Sequence, residues 1–180
     1  MIAEISELSQ DQLRERLSSA AVSDTFKRIA VELDGLALEH IPYESRDYAL
    51  CKSAVEQTWK ALRFTPKHHY TKEIFLIASS QNSRAIHYIP QGFRSREFFR
   101  ELLHLNPHAL SHFPKEWRTK EMCKLAAELD GTTFHYAPNV QKTNELKEIA
   151  ERSISEHIYE IMAREDKIIS KQLASLELHR

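Results

Sequence analysis

Apolar residues along this chain recur in two helical patterns that alternate with each other. In the first pattern they occupy positions i, i+1 and i+4, as in Ile74, Phe75 and Ala78. This spacing is one face of an α-helix of about ten residues. A Ser, Thr or Asp precedes the pattern and predicts the N-cap of the helix. The predicted caps are Ser23, Asp47, Thr71, Ser95, Thr119 and Thr143.

A shorter apolar group follows each of these helices and predicts a second, short helix. Ala85, Ile86 and Ile89 are one example, and each such segment ends at a proline, which cannot continue a helix. Pairs such as Asp34 and Gly35 separate the two helices and predict a turn of left-handed or chain-reversing geometry. The terminating prolines lie 24 residues apart, at Pro42, Pro66, Pro90, Pro114 and Pro138.

This period predicts an all-α fold, an α-solenoid of right-handed type built from helix–turn–short-helix repeats with helical caps. Units this short cannot bury an apolar face alone and are expected to stack on their neighbours. We predict a single domain over residues 1–180. Residues 1–18 form an N-terminal cap helix, residues 19–138 form five 24-residue repeats, and residues 139–180 form C-terminal capping helices.

Composition narrows the class of protein without indicating a ligand. The 180 residues carry a formal net charge of -1, so the chain has no overall attraction to nucleic acid or to an anionic membrane. No apolar run is long enough to span a bilayer, which predicts no membrane insertion and a cytoplasmic location. Cys51 and Cys123 occupy the same column of the repeat as Phe75, and this column predicts buried structural thiols in a reducing compartment.

No motif for catalysis, cofactor binding or metal binding stands out. His104, His108 and His112 lie four residues apart, but Asn106 and Pro107 interrupt the helix between them. Three imidazoles on two segments do not make one rigid set of metal ligands. The chain has no Gly-x-Ser-x-Gly elbow, and its three glycines cannot build a phosphate cradle. We therefore expect no enzyme, no cofactor and no metal site.

The outer side of the short helices is the surface that we expect to bind a partner. Its residues are basic or aromatic, and the repeat aligns them along one side. The predicted partner-binding residues are Lys60, Arg63, Arg84, His87, Tyr88, His108, His112 and His135. They suit another protein or an acidic peptide, and the alternative is sequence-tolerant binding of nucleic acid on the same row. A third reading is that the aromatic residues pack between repeats and the charges only solvate the surface.

The segment Ala30 to His40, AVELDGLALEH, resembles short tandem helical repeats of unknown function with the consensus AVKQNGLALEYA. Lys124 to Tyr136, KLAAELDGTTFHY, is a weaker match, and the resemblance covers residues 19–138. These repeats have about 24–25 residues and occur in proteins and effectors of intracellular bacteria. The resemblance implies a non-enzymatic interaction module, a secreted effector or a regulator.

The C-terminal region points the same way. Its acidic residues Glu156, Glu160, Glu165 and Asp166 precede Leu176 and Leu178, an arrangement that resembles substrates of type IV secretion. An amphipathic helix is the alternative explanation of the same residues. An effector of this kind would be translocated into a host cell.

Overall fold

The computed structural model describes residues 2–19 and 21–177. Every regular element in these two ranges is a helix, which confirms the all-α prediction. The chain divides into two compact units, the first ending at His112 and the second beginning at Phe113. Leu178, named above as part of the C-terminal pattern, lies outside the described residues. No helix in the described ranges is long and apolar enough to cross a membrane.

Five ten-residue α-helices recur at a constant spacing, and each of them begins directly after a capping residue. Side-chain oxygens of Ser23, Asp47, Thr71, Ser95 and Thr119 accept hydrogen bonds from the backbone N–H groups three residues later, as predicted. The first unit contains α1 (Ile2–Ser6), α2 (Gln10–Ser18), α3 (Asp24–Leu33), α4 (Tyr48–Gln57), α5 (Lys72–Gln81) and α6 (Arg96–Leu105). The second contains α7 (Lys120–Leu129) and α8 (Asn144–Glu177).

The short helices are 3₁₀-helices of six residues. They span Gly35–His40, Trp59–Phe64, Ser83–Tyr88, Pro107–His112 and Gly131–Tyr136. Residues such as Asp34 and Asn82 precede them with extended backbone and accept a hydrogen bond from the second residue of the helix. No described residue has a positive φ angle. The left-handed alternative predicted for these pairs is therefore wrong, because the polar side chain caps the 3₁₀-helix from an extended backbone.

A further 3₁₀ turn of three residues follows each proline. The prolines have φ and ψ angles near polyproline II values, as at Pro42 with φ -53° and ψ 139°, so each one ends one helix and precedes the next. The turns span Tyr43–Ser45, Lys67–His69, Gln91–Phe93, Lys115–Trp117 and Asn139–Gln141. The sequence pattern indicated only a break at these prolines.

The apolar columns predicted from the repeat form the core. In the first unit α3, α4, α5 and α6 pack in succession, and the six-residue 3₁₀-helices pack in succession beside them. In the second unit α7 packs on α8. The core includes Phe26, Ala30, Cys51, Ala54, Ile74, Phe75, Ala78, Ala85, Ile86, Phe98, Phe99, Leu102, Cys123 and Ala126. Lys27, a polar residue in this column, is 5% exposed and reaches Asp24 at 3.2 Å.

Side chains of one repeat complete the helix ends of the repeat before it. Gln81 Nε2 donates to the carbonyl oxygens of Val55 and Glu56, each at 2.8 Å. In the second unit Ser153 Oγ donates to the carbonyl oxygen of Glu128 at 3.3 Å. The last carbonyl groups of an α-helix have no partner within the helix, so these contacts join neighbouring repeats through the backbone.

Both ends of the described chain are helical. Residues 2–18 contain two helices, because Ser9 caps α2 and exchanges hydrogen bonds with Gln12 in a capping box. Near the C-terminus, α8 is one helix of 34 residues, and the proline that ends the earlier repeats has no counterpart within it.

Ser79 places a hydroxyl group in the core without a hydrogen-bond partner. The residue is fully buried, and its Oγ has no partner among the described residues. The equivalent column contains Val31, Val55, Leu103 and Ala127. A buried hydroxyl that loses its water without gaining a partner opposes folding.

We expect Ser79→Ala to raise the free energy of unfolding by about 1 kcal/mol, because it removes this hydroxyl and improves helix propensity. Urea denaturation measures the difference. Ser80→Ala is the matched control, since Ser80 Oγ donates to the carbonyl oxygen of Ile77 at 2.9 Å and its removal is expected to be close to neutral. Equal or lower stability of Ser79→Ala would contradict the prediction.

Candidate functional site

Several lysines on the α-helical face of each unit form ion pairs with a neighbouring helix. Lys52 Nζ lies 2.7 Å from Glu73 Oε1, and Lys72 Nζ lies 2.6 Å from Glu101 Oε1. Glu73 accepts hydrogen bonds from Lys52 and from Tyr48, and these bonds lower the pKa of Glu73 below its usual value, the bond from Lys52 more strongly. In the second unit α7 and α8 are joined in the same way by ion pairs. Cations that already have carboxylate partners offer little to an external anion.

The face made by the 3₁₀-helices of the first unit has a different charge pattern. Lys60, Arg63 and Arg84 are exposed, and no carboxylate of the described residues lies within 4.0 Å of their side-chain nitrogens. Their positive charge is therefore uncompensated by any near carboxylate in the described ranges. Such a cluster attracts anions.

These cations border a pocket with aromatic walls. The pocket has a volume of about 300 Å³ and is lined by Trp59, Lys60, Leu62, Arg63, Arg84 and Tyr88. The ring centroids of Trp59 and Tyr88 are 6.1 Å apart, with an angle of 57° between the ring planes. The guanidinium of Arg63 lies over the ring of Phe64, 5.3 Å from its centroid. Flat apolar walls and cationic rims thus meet in one concave surface.

The geometry of the 3₁₀-helix explains how the sequence builds this pocket. With three residues per turn, residues i and i+3 lie above one another, so Lys60 and Arg63 share one side of the helix Trp59–Phe64. Arg84 stands 24 residues after Lys60 and occupies the equivalent place on the following 3₁₀-helix. The two helices pack against each other, which brings the three cations to the same pocket.

The structure brings together four of the eight sequence-predicted residues, namely Lys60, Arg63, Arg84 and Tyr88. His87 and His112 form a separate edge-to-face pair with ring centroids 6.2 Å apart. His108 is exposed and does not line the pocket. These residues belong to the first unit.

His135 lies in the second unit, on the helix Gly131–Tyr136. It is exposed, and its ring centroid is 4.4 Å from that of Tyr136. It does not line the pocket.

Sequence reasoning missed Trp59, which forms one wall of the pocket. The equivalent positions in the other repeats are Gly35, Ser83, Pro107 and Gly131. A large aromatic residue in a column of small residues or proline is a departure from the repeat that packing does not require. That departure is the signal that could have identified the site.

Arg46 illustrates a cation that the fold uses for itself. Its guanidinium donates to the carbonyl oxygens of Ile41 at 2.8 Å, Phe64 at 2.7 Å and Glu39 at 3.1 Å. Arg94 and Arg118, at equivalent positions, each donate to a carbonyl oxygen five residues earlier. These arginines complete the ends of the 3₁₀-helices, so basic residues at this position are not part of the candidate site.

The two thiols, those of Cys51 and Cys123, are buried in the core, as predicted. Burial raises the pKa of Cys51 to about 11 and also raises the pKa of Cys123, so both thiols stay protonated and poorly nucleophilic near neutral pH. Among the described residues no group of His, Cys, Asp and Glu side chains is arranged to hold a metal ion.

Comparison with known families adds one similarity. Residues 71–118 match the model of a domain of unknown function, DUF4116. The matched part includes Arg84 and Tyr88 and begins after Trp59, Lys60 and Arg63. The comparisons with curated proteins and with solved structures gave no significant match. The function of the chain must therefore be argued from its own surface.

Proposed function

We propose that this chain is a non-enzymatic binding module that captures an acidic segment of another protein in the pocket between Trp59 and Tyr88. One observation carries the proposal: Lys60, Arg63 and Arg84 surround an aromatic pocket and have no carboxylate of the described residues within ion-pair distance. Lys52 and Lys72 on the α-helical face do have such partners, and neither borders a pocket with aromatic walls of this kind.

The chemistry of the pocket suits a peptide with carboxylate and flat apolar groups. Guanidinium groups bind carboxylates through two parallel hydrogen bonds, and they are charged at all physiological pH values. Trp59 and Tyr88 offer apolar contact area at low entropic cost, and Trp, Tyr and Arg are the residues enriched in binding hot spots. The site lies on helices with caps and a packed core, so little ordering is needed when the peptide binds.

We further propose that the repeats stack as an α-solenoid of right-handed type, with the 3₁₀ face as the binding side. Successive packing of α3 to α6 in the first unit and of α7 on α8 in the second supports this arrangement. The setting implied by the sequence resemblance, an effector or a regulator of an intracellular bacterium, belongs to the same proposal. A cytoplasmic chain that is translocated into a host cell would meet host proteins with this surface.

Single-stranded nucleic acid is the competing ligand for the same pocket. Stacking of a base on Trp59 or Tyr88 with phosphate contacts to the three cations would use the same groups. The net charge of -1 favours a localised acidic peptide over a long polyanion.

The test is a fluorescence titration of the full chain carrying Trp117→Phe, so that Trp59 is the only tryptophan. The probes are a short peptide of alternating Glu and Ser, the same peptide with Lys in place of Glu, and oligothymidylate. We expect the acidic peptide to change the Trp59 emission saturably and to bind more weakly as salt increases. Equal binding of the lysine peptide, or tight binding of oligothymidylate alone, would reject the proposal.

A further inference from the structure

The second half of α8 extends beyond the part of the second unit that packs around it. Ala150 is the last buried residue among those of α8 whose side chains are described, and residues 154–165, 167 and 168 are exposed. The helix continues to Glu177, about 40 Å beyond Ala150 at 1.5 Å per residue. A helix without tertiary contacts is only marginally stable in water. We therefore expect this part of α8 to be stabilised by packing against a partner.

The exposed part of α8 carries an apolar stripe with the spacing of a coiled coil. Ile158, Ile161 and Ile168 are well exposed, and Ile154 is 38% exposed where it borders Gly131. Glu165 completes the stripe. Successive members are four, three, four and three residues apart, which is the heptad order d, a, d, a, d. Four isoleucines on one exposed stripe are costly to leave in water.

We propose that this stripe of α8 pairs in parallel with the same stripe of a second copy of this chain. The charges beside the stripe identify the partner. Glu165 takes an a position, and Arg164 takes the preceding g position. In a parallel coiled coil an a residue packs beside the preceding g residue of the partner helix, so each Glu165 meets the partner's arginine.

This arrangement is self-complementary. Within the described part of a single chain, the ion pair of Arg164 is a long one to Glu160, 3.9 Å apart, with both side chains well exposed. Pairing of two copies gives two equivalent ion pairs at the one acidic residue of the stripe. An acidic residue in an apolar seam disfavours association unless it is paired, so the Arg164 and Glu165 sequence favours this register over a slipped one.

Self-association would also change how the proposed peptide site works. Two copies joined through α8 carry two Trp59 pockets, and a target with two acidic segments would bind both with increased apparent affinity. The pairing of α8 itself does not depend on the pocket, because it uses residues of the second unit alone.

Sedimentation equilibrium of the full chain over a concentration series tests the proposal. We expect the mass of a dimer, which falls to that of a monomer on dilution. The mass of a trimer would also support the pairing, since isoleucine at d positions also admits a third strand. Ile161→Asn combined with Ile168→Asn is expected to weaken association roughly 100-fold. Tyr159→Asn is the matched control, since Tyr159 is 72% exposed and lies off the stripe at a b position.

A charge exchange tests the register. Arg164→Glu places two acidic residues together and is expected to weaken association about tenfold, and adding Glu165→Arg is expected to restore it. The proposal is overturned if the chain stays monomeric, with or without binding to phosphatidylcholine vesicles. It is also overturned if the isoleucine variants leave association unchanged. The parallel register is overturned if the charge exchange fails to restore association. Unchanged thermal unfolding of the core confirms that each variant is folded.

Discussion

Gly131→Ala is expected to lower the free energy of unfolding of this chain by roughly 3 kcal/mol or more, a large loss for a single methyl group. A β-carbon at this position would press against the carbonyl oxygen of Ala150, well inside van der Waals contact, and would lie 2.8 Å from Cγ1 of Ile154. Both neighbours belong to α8. The backbone N–H of Gly131 also donates to Ser153 Oγ at 3.1 Å, so the helix cannot move away without losing this bond.

Urea denaturation of the full chain measures the effect, and the chain supplies its own controls. A β-carbon at Gly35 would also press against a carbonyl oxygen, that of Ala54, although less closely, so Gly35→Ala should destabilise as well. A β-carbon at Gly92 would have nothing within 4 Å. Gly92→Ala should therefore be neutral or slightly stabilising, because it only restricts the unfolded chain. Equal stability of the Gly131 and Gly92 variants would contradict the close approach of α8.

The largest functional effect is expected from reversing the charges of the pocket. The triple variant Lys60→Glu, Arg63→Glu and Arg84→Glu should weaken binding of the alternating Glu and Ser peptide about 100-fold or more. Each lost contact is expected to cost about 1 kcal/mol of binding free energy, and each 1.4 kcal/mol corresponds to a tenfold change in affinity. These side chains are exposed and have no carboxylate partner in the described ranges. The free energy of unfolding should therefore change little.

A control with the same change in net charge isolates the pocket from the overall field. Arg28, Lys67 and Lys115 are exposed cations that do not line it. Reversing these three should leave the affinity within about threefold of the original. If both triple variants lose binding equally, the peptide responds to net charge and the pocket assignment is wrong.

The repeat made much of the fold accessible from sequence, because its signals are local. An N-cap residue acts within three residues, and the apolar columns repeat often enough to average out exceptions such as Lys27. The 3₁₀ character of the short helices was not accessible, because Ala85, Ile86 and Ile89 fit either helix type and backbone hydrogen bonding decides between them. The ion pair between Lys52 and Glu73 depends on how neighbouring helices pack, which no local pattern encodes.

The candidate site was accessible in part for a similar reason. Lys60, Arg63, Arg84 and Tyr88 were found because the repeat puts them on one side. Trp59 was missed because the apolar pattern of the short helices begins two residues later, at Ala61, and the column of Trp59 otherwise holds small residues or proline. Residues that break a repeat carry more information about function than residues that follow it.

The hydrogen bonds from Gln81 to the carbonyl groups of Val55 and Glu56 have a consequence for how the first unit unfolds. Opening of α5 would remove the hydrogen-bond partners of the last carbonyl groups of α4 and would destabilise α4. Each preceding repeat would then be destabilised in turn. In a nearest-neighbour description, part of the stability belongs to the junctions and not to the individual repeats. Partly opened states of the first unit are therefore rare, and its amide protons should exchange with solvent mainly through concerted opening of several repeats.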